Sequence, residues 1–109
     1  MTAVLSGTNG FLEAYDYQVP TTGFSYTFAA GTQVLVMNPA TTLATGTITM
    51  PASPSDGMTI SFSSSQIITL LTVSANTGQS IVSAVTSLAL GGGAVYIYRL
   101  ANTTWYRTV

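Results

Sequence analysis

Short runs of β-branched and aromatic residues recur along the whole sequence, cut by turn signals about every ten residues. No segment holds apolar residues at i, i+3, i+4 and i+7 over a useful length, so no helix would have a face to bury. Phe24-Ser25-Tyr26-Thr27-Phe28 alternates, with Phe24, Tyr26 and Phe28 on one face. Val34-Leu35-Val36-Met37 follows a turn at Ala30-Gly31-Thr32 and stops at Asn38-Pro39, because proline cannot donate to a ladder. Thr45 to Met50 alternates again, and Pro51 to Gly57 reads as a turn that closes on Asp56-Gly57. Met58, Ile60 and Phe62 share one strand face, and Ser63-Ser64-Ser65 reads as a loop. Ile67 to Val73 is almost continuously apolar, which predicts a strand buried on both faces. Asn76-Thr77-Gly78 turns into Ser80-Ile81-Val82, and Gly91-Gly92-Gly93 opens a run from Val95 to Leu100. Asn102-Thr103-Thr104 connects that run to Trp105-Tyr106-Arg107. The pattern predicts an all-β fold: a small antiparallel sandwich, barrel or prism of about eight short strands. Gly31 to Val36 faintly echoes Gly92 to Ile97, which is read as the ordinary likeness of short β segments.

Charge narrows the function. Charged residues are 5% of the 109, and they are Glu13, Asp16, Asp56, Arg99 and Arg107. There is no lysine, histidine or cysteine. No thiolate or imidazole can ligate zinc or attack a substrate, and no lysine can form a Schiff base or complete a phosphate loop. Two arginines at a net charge of −1 cannot neutralise a run of phosphates, which argues against nucleic acid as a partner. No apolar run nears the roughly 18 residues of a membrane span, and Met1 to Gly7 lacks the basic start and long apolar core of a signal peptide. A surface made of neutral hydroxyls, with 47% hydrophobic residues, suits a chain held in an assembly.

Residues 1–20 differ from the remainder. They hold Glu13 and Asp16 together with Phe11, Leu12, Tyr15 and Tyr17. They read as an N-terminal arm docking on a partner or a strand joining a neighbour, ahead of a β domain over residues 21–109, or as a segment packed across its own domain. Candidate chemistry elsewhere is thin. Glu13, Asp16 and Asp56 are too scattered for an acid pair or a calcium cluster, and Asp before Gly57 suits a turn. Serines have no base to activate them, and a glycine run that opens a strand does not cradle phosphate. These readings predict no enzyme, no metal and no cofactor. Tyr96, Tyr98, Trp105 and Tyr106 admit two readings, packing within a hairpin or interface, and stacking on sugar rings. Arg99 and Arg107 fall on the two strands of that hairpin and are expected near each other, with Glu13 or Asp16 of a neighbouring chain as partners.

Three pieces of the second half carry a resemblance. They are Met50-Pro51-Ala52-Ser53-Pro54-Ser55-Asp56-Gly57-Met58, Ser74-Ala75-Asn76-Thr77-Gly78-Gln79-Ser80-Ile81, and Asn102-Thr103-Thr104-Trp105-Tyr106-Arg107. Residues 46–109 resemble the β modules of virion structural proteins of tailed bacteriophages, notably marine and cyanobacterial ones. Those modules run as LPASPxDGQ, a strand, NGxxI, a further strand and a terminal WY. Ser63-Ser64-Ser65 stands where members often carry Lys-Asp, and Ser83 where they carry Gly. The resemblance implies a non-enzymatic, oligomeric virion component, with a homotrimer expected, and it supplies no catalytic residue. Read as a product beginning at Met1 without a long shaft, the chain is expected to be a capsid-surface decoration protein bound to the major capsid protein. The alternative is a tail-fibre or receptor-binding tip recognising host surface glycans.

Overall fold

The computed structural model describes the backbone of residues 3–6 and 10–109, and the side chains from residue 14 onward. Strands β1 (Ala3–Ser6) and β2 (Gly10–Glu13) form an antiparallel two-stranded sheet of their own. The chain then alternates between two sheets. Strands β3 (Tyr15–Gln18), β5 (Val34–Met37) and β7 (Thr59–Ser64) stack in parallel in one sheet. Strands β4 (Phe24–Thr27), β6 (Leu43–Thr49) and β8 (Ile68–Ser74) stack in parallel in the other. Each pair, β3 with β4, β5 with β6 and β7 with β8, is one coil of a flattened parallel stack. After β9 (Ser80–Val82), strand β10 (Gly93–Arg99) runs antiparallel to β7, and β11 (Thr104–Arg107) lies between β10 and β9.

The all-β expectation holds; the antiparallel expectation does not. Among the described residues five of the eight strand pairings are parallel. A parallel pair needs a long crossover, usually a helix. Here a strand in the opposite sheet supplies the crossover for four of the five, and β10 of the same sheet connects β9 to β11, so no helix is required.

Register explains the sequence pattern. Phe24, Gly46 and Leu71 align across the three-stranded sheet, as do Tyr26, Ile48 and Val73, and these rows face the core. The alternate rows, Ser25-Thr47-Thr72 and Thr27-Thr49-Ser74, face outward and are mostly hydroxyls. The near-continuous apolar run at β8 is therefore buried on one face only: Thr69, Leu70 and Thr72 are exposed. The expected serine loop is likewise corrected, because β7 continues through Ser64. Leu35, Phe62 and Ala94 align across the six-stranded sheet, where the small Ala94 sits beside the large Phe62. Leu35, Ile48, Ile60, Ile68 and Leu71 are almost fully buried between the sheets, and burying each side chain stabilises the fold by about 1.5–3 kcal/mol.

The two ends of the stack differ. At one end β10 covers the edge of β7, and the Thr86 and Leu88 backbones bond to Leu71 and Ile68 of β8. At the other end β3 and β4 are the outermost strands among the described residues. Tyr15–Gln18, inside the expected arm, is thus a strand of the domain's own sheet, and the Ala14 carbonyl already accepts from the Gln33 N–H at 3.2 Å. The echoing segments around Val34 and Val95 lie on opposite sides of β7, both opposite Ser61, and run in opposite directions.

Candidate functional site

The C-terminal hairpin divides its aromatics by face. Tyr98 lies opposite Trp105 with ring centroids 5.0 Å apart, and Tyr96 stacks against Phe62 at 6.1 Å. Tyr96 and Trp105 are completely buried and Tyr98 nearly so. Tyr96 accepts from the Val85 N–H at 2.9 Å and donates to the Ser83 carbonyl at 3.1 Å. These three rings are core, and none can stack on a sugar at the surface. Tyr106 is half-buried on the outer face, opposite Ile97.

The arginines do not come together. Arg99 is opposite Thr104 while Arg107 is opposite Tyr96, so strand alternation sends them to opposite faces about three positions apart. Arg107 donates through Nε to the Val109 carbonyl at 2.9 Å. Among the described residues neither arginine forms an ion pair. Arg99, Ile97 and Tyr106 instead line a shallow open groove of about 360 Å³ with Asp56, Gly57 and Tyr98. Asp56 Oδ1 accepts the Leu100 N–H at 2.9 Å, which ties the turn before Gly57 to the end of β10. Asn102 Nδ2 donates to the Tyr106 hydroxyl at 2.7 Å. The groove offers one guanidinium, one carboxylate, already bonded through Oδ1 to the Leu100 N–H, one phenol and an apolar floor. It suits contact, and it holds no paired acid and base aimed at a common point.

A second depression lies at the open end of the stack. It is a cleft of about 200 Å³ between the sheets, walled by Val19, Pro20, Phe24, Tyr26, Leu35 and Met37. The Tyr26 hydroxyl donates to Asp16 Oδ2 at 2.8 Å, and Gln18 Nε2 bonds both carboxylate oxygens at 3.1 Å. Burial, and then the hydrogen bond and negative charge of Asp16, raise the Tyr26 phenol well above its ordinary range. Tyr15 and Tyr17 alternate with Asp16 and Gln18 and are exposed on the outer face of the sheet, away from the cleft, where Asn38 Nδ2 donates to the Tyr17 hydroxyl at 2.8 Å. The expectations for the side chains of Phe11, Leu12 and Glu13 lie outside the described residues. No group of three metal-ligating side chains occurs among those described.

Sequence reading missed the residue that joins the motif pieces. Gln79 Oε1 accepts the indole N–H of the buried Trp105 at 2.9 Å, and its Nε2 donates to the Pro51 carbonyl at 3.0 Å. Asn76 Nδ2 donates to the Met50 carbonyl at 3.0 Å. One amide clasp thus binds the Pro51–Gly57 turn, the Asn76–Gln79 turn and the last hairpin. The available signal was a buried-type indole, which needs an acceptor, but nothing in the spacing identified Gln79. Ser83, where the resembling modules carry Gly, has φ of 60° in the left-handed region that favours glycine.

No protein-family model and no curated protein matches this chain.

Proposed function

We propose that this chain is a non-enzymatic structural component of a tailed-phage virion, acting as a homotrimeric capsid-surface decoration protein. The observation that carries the reading is the Gln79 clasp. All three sequence pieces of the phage-module pattern meet at it, and each does architectural rather than chemical work. The left-handed Ser83 adds support, because the pattern's glycine would suit that backbone. A neutral hydroxyl face on β4, β6 and β8 and a charge content of 5% fit a chain living among protein neighbours. The major capsid protein is its proposed partner.

The groove of Asp56, Ile97, Arg99 and Tyr106 favours a second reading, a fibre-tip module that contacts host glycans. A guanidinium and a phenol over an apolar floor can bond sugar hydroxyls and cover a ring face. The test mixes the purified chain with tail-less heads of its phage that lack it, and with host cells. Co-sedimentation with heads alone supports decoration. Binding to cells that is lost in Tyr106→Ala, without binding to heads, replaces it with the tip reading.

A further inference from the structure

The stack is finished at one end and unfinished at the other. In a strand, the N–H and C=O of one residue point to the same side and alternate along the chain. The Ala14 and Gln18 carbonyls accept from Gln33 and Asn38 of the β5 side. Tyr15 and Tyr17 therefore turn their N–H and C=O groups toward the free edge of β3. Both side chains are exposed on the outer face of the sheet, Tyr15 at 67% and Tyr17 at 52%, while Gln18 on the other face of β3 lines the cleft. An unpaired edge of this kind is a template for a further strand.

The chain's own hairpin cannot supply that strand. Ala14 alone separates β2 from β3, and its carbonyl is already in the ladder. An antiparallel return needs a loop of about two residues and a parallel one a crossover of roughly a dozen. β2 thus leads straight into β3, and β1 is held beside β2 by the Ala3–Glu13 register. Yet a lone two-stranded hairpin is at best marginal in water, so β1 and β2 need a surface to join. Among the described residues the chain therefore carries an edge without a strand and a hairpin without a further sheet partner.

We propose that the β1–β2 hairpin of one copy pairs with the free edge of β3 in a neighbouring copy and closes its cleft. Size argues for the hairpin over simple end-to-end contact. Four residues span roughly 13 Å and packed sheets lie roughly 10 Å apart, so the end face offers on the order of 130 Å². A stable interface takes about 800 Å² from each partner. An exchanged hairpin adds the missing area, and exchange of an identical element is a low-cost route to an oligomer. This inference concerns the chain's self-association and stands whether or not the virion reading holds.

Amide exchange on the full chain tests it without any variant. At micromolar concentration the Tyr15 and Tyr17 amides are expected to exchange at least about tenfold more slowly than an unstructured chain, and to lose that protection on dilution. Two variants follow. Tyr17→Pro removes the phenol and an outward-facing backbone donor, a loss that an edge strand tolerates, and it is expected to lower the mass in solution to that of a monomer. Tyr17→Ala keeps the donor and is expected to stay oligomeric. Removal of residues 1–13 is expected to give a monomer that retains the near-ultraviolet signal of Trp105. A wild-type monomer, unprotected Tyr17 amides in the oligomer, dissociation of Tyr17→Ala, or an oligomer surviving Tyr17→Pro or the truncation each overturns the proposal.

Discussion

Among the described residues, three other than glycine hold backbone conformations that suit glycine better. Ser53 has φ of 53°, Ser83 has φ of 60° and Thr103 has φ of 49°. The left-handed region costs a side-chain-bearing residue about 1–2 kcal/mol. Ser83→Gly and Thr103→Gly are each expected to stabilise the fold by roughly 1 kcal/mol, after the added entropy of an unfolded glycine is counted. Denaturant midpoints measure this, and an unchanged or lowered midpoint contradicts it. Gln79 is the opposite case. Gln79→Ala strands the buried indole N–H of Trp105 and the Pro51 carbonyl. The expected loss is about 2 kcal/mol, also read from denaturant midpoints. Tyr26 contributes to stability at alkaline pH. Its pKa is raised in the fold, so above about pH 10 the unfolded chain releases this proton while the fold retains it. The contribution is therefore intact below pH 10 and is lost as pH rises beyond it. Tyr26→Phe is expected to flatten that part of the alkaline fall in thermal unfolding scans.

Strand by strand, the sequence was legible wherever alternation or turn chemistry acts locally. Met58, Ile60 and Phe62 point into the core as their spacing requires, and Gly57 takes φ of 79° in the expected turn. The direction of pairing was not legible, because a period of two is the same beside a parallel or an antiparallel partner. The same blindness misplaced the arginines: their relation depends on the Arg99–Thr104 register, not on which strands they occupy. The one-sided burial of β8 is not legible in its nearly continuous apolar sequence, because Leu70 stands outward opposite Thr45. Of the candidate site, Arg99 and Tyr106 do share a groove; Asp56 joins them only through a fold contact with Leu100. The glycine run has a packing role as well as a turning one. A Cβ at Gly93 would collide with the Phe62 carbonyl oxygen, a backbone atom that cannot rotate away. Gly93→Ala is expected to cost about 2 kcal/mol by overpacking the β7–β10 pair, measured by thermal unfolding, and a neutral result would contradict that contact.

At the scale of the whole molecule, the fold is a short stack of coils with one capped end, a hydroxyl-rich outer face and few charges. Its solution mass is expected to be constant between about pH 6 and 9, since no side chain in it titrates there by its ordinary value. Light scattering across that range checks this, and a sharp loss of mass between pH 6 and 8 would contradict it. The central claim is that the chain is a structural part of a phage head. The most direct measurement counts its peptides against those of the major capsid protein, by mass spectrometry of purified particles and of heads without tails. The claim predicts the same fixed proportion in both. Absence from purified particles, or presence that disappears with the tails, would contradict it.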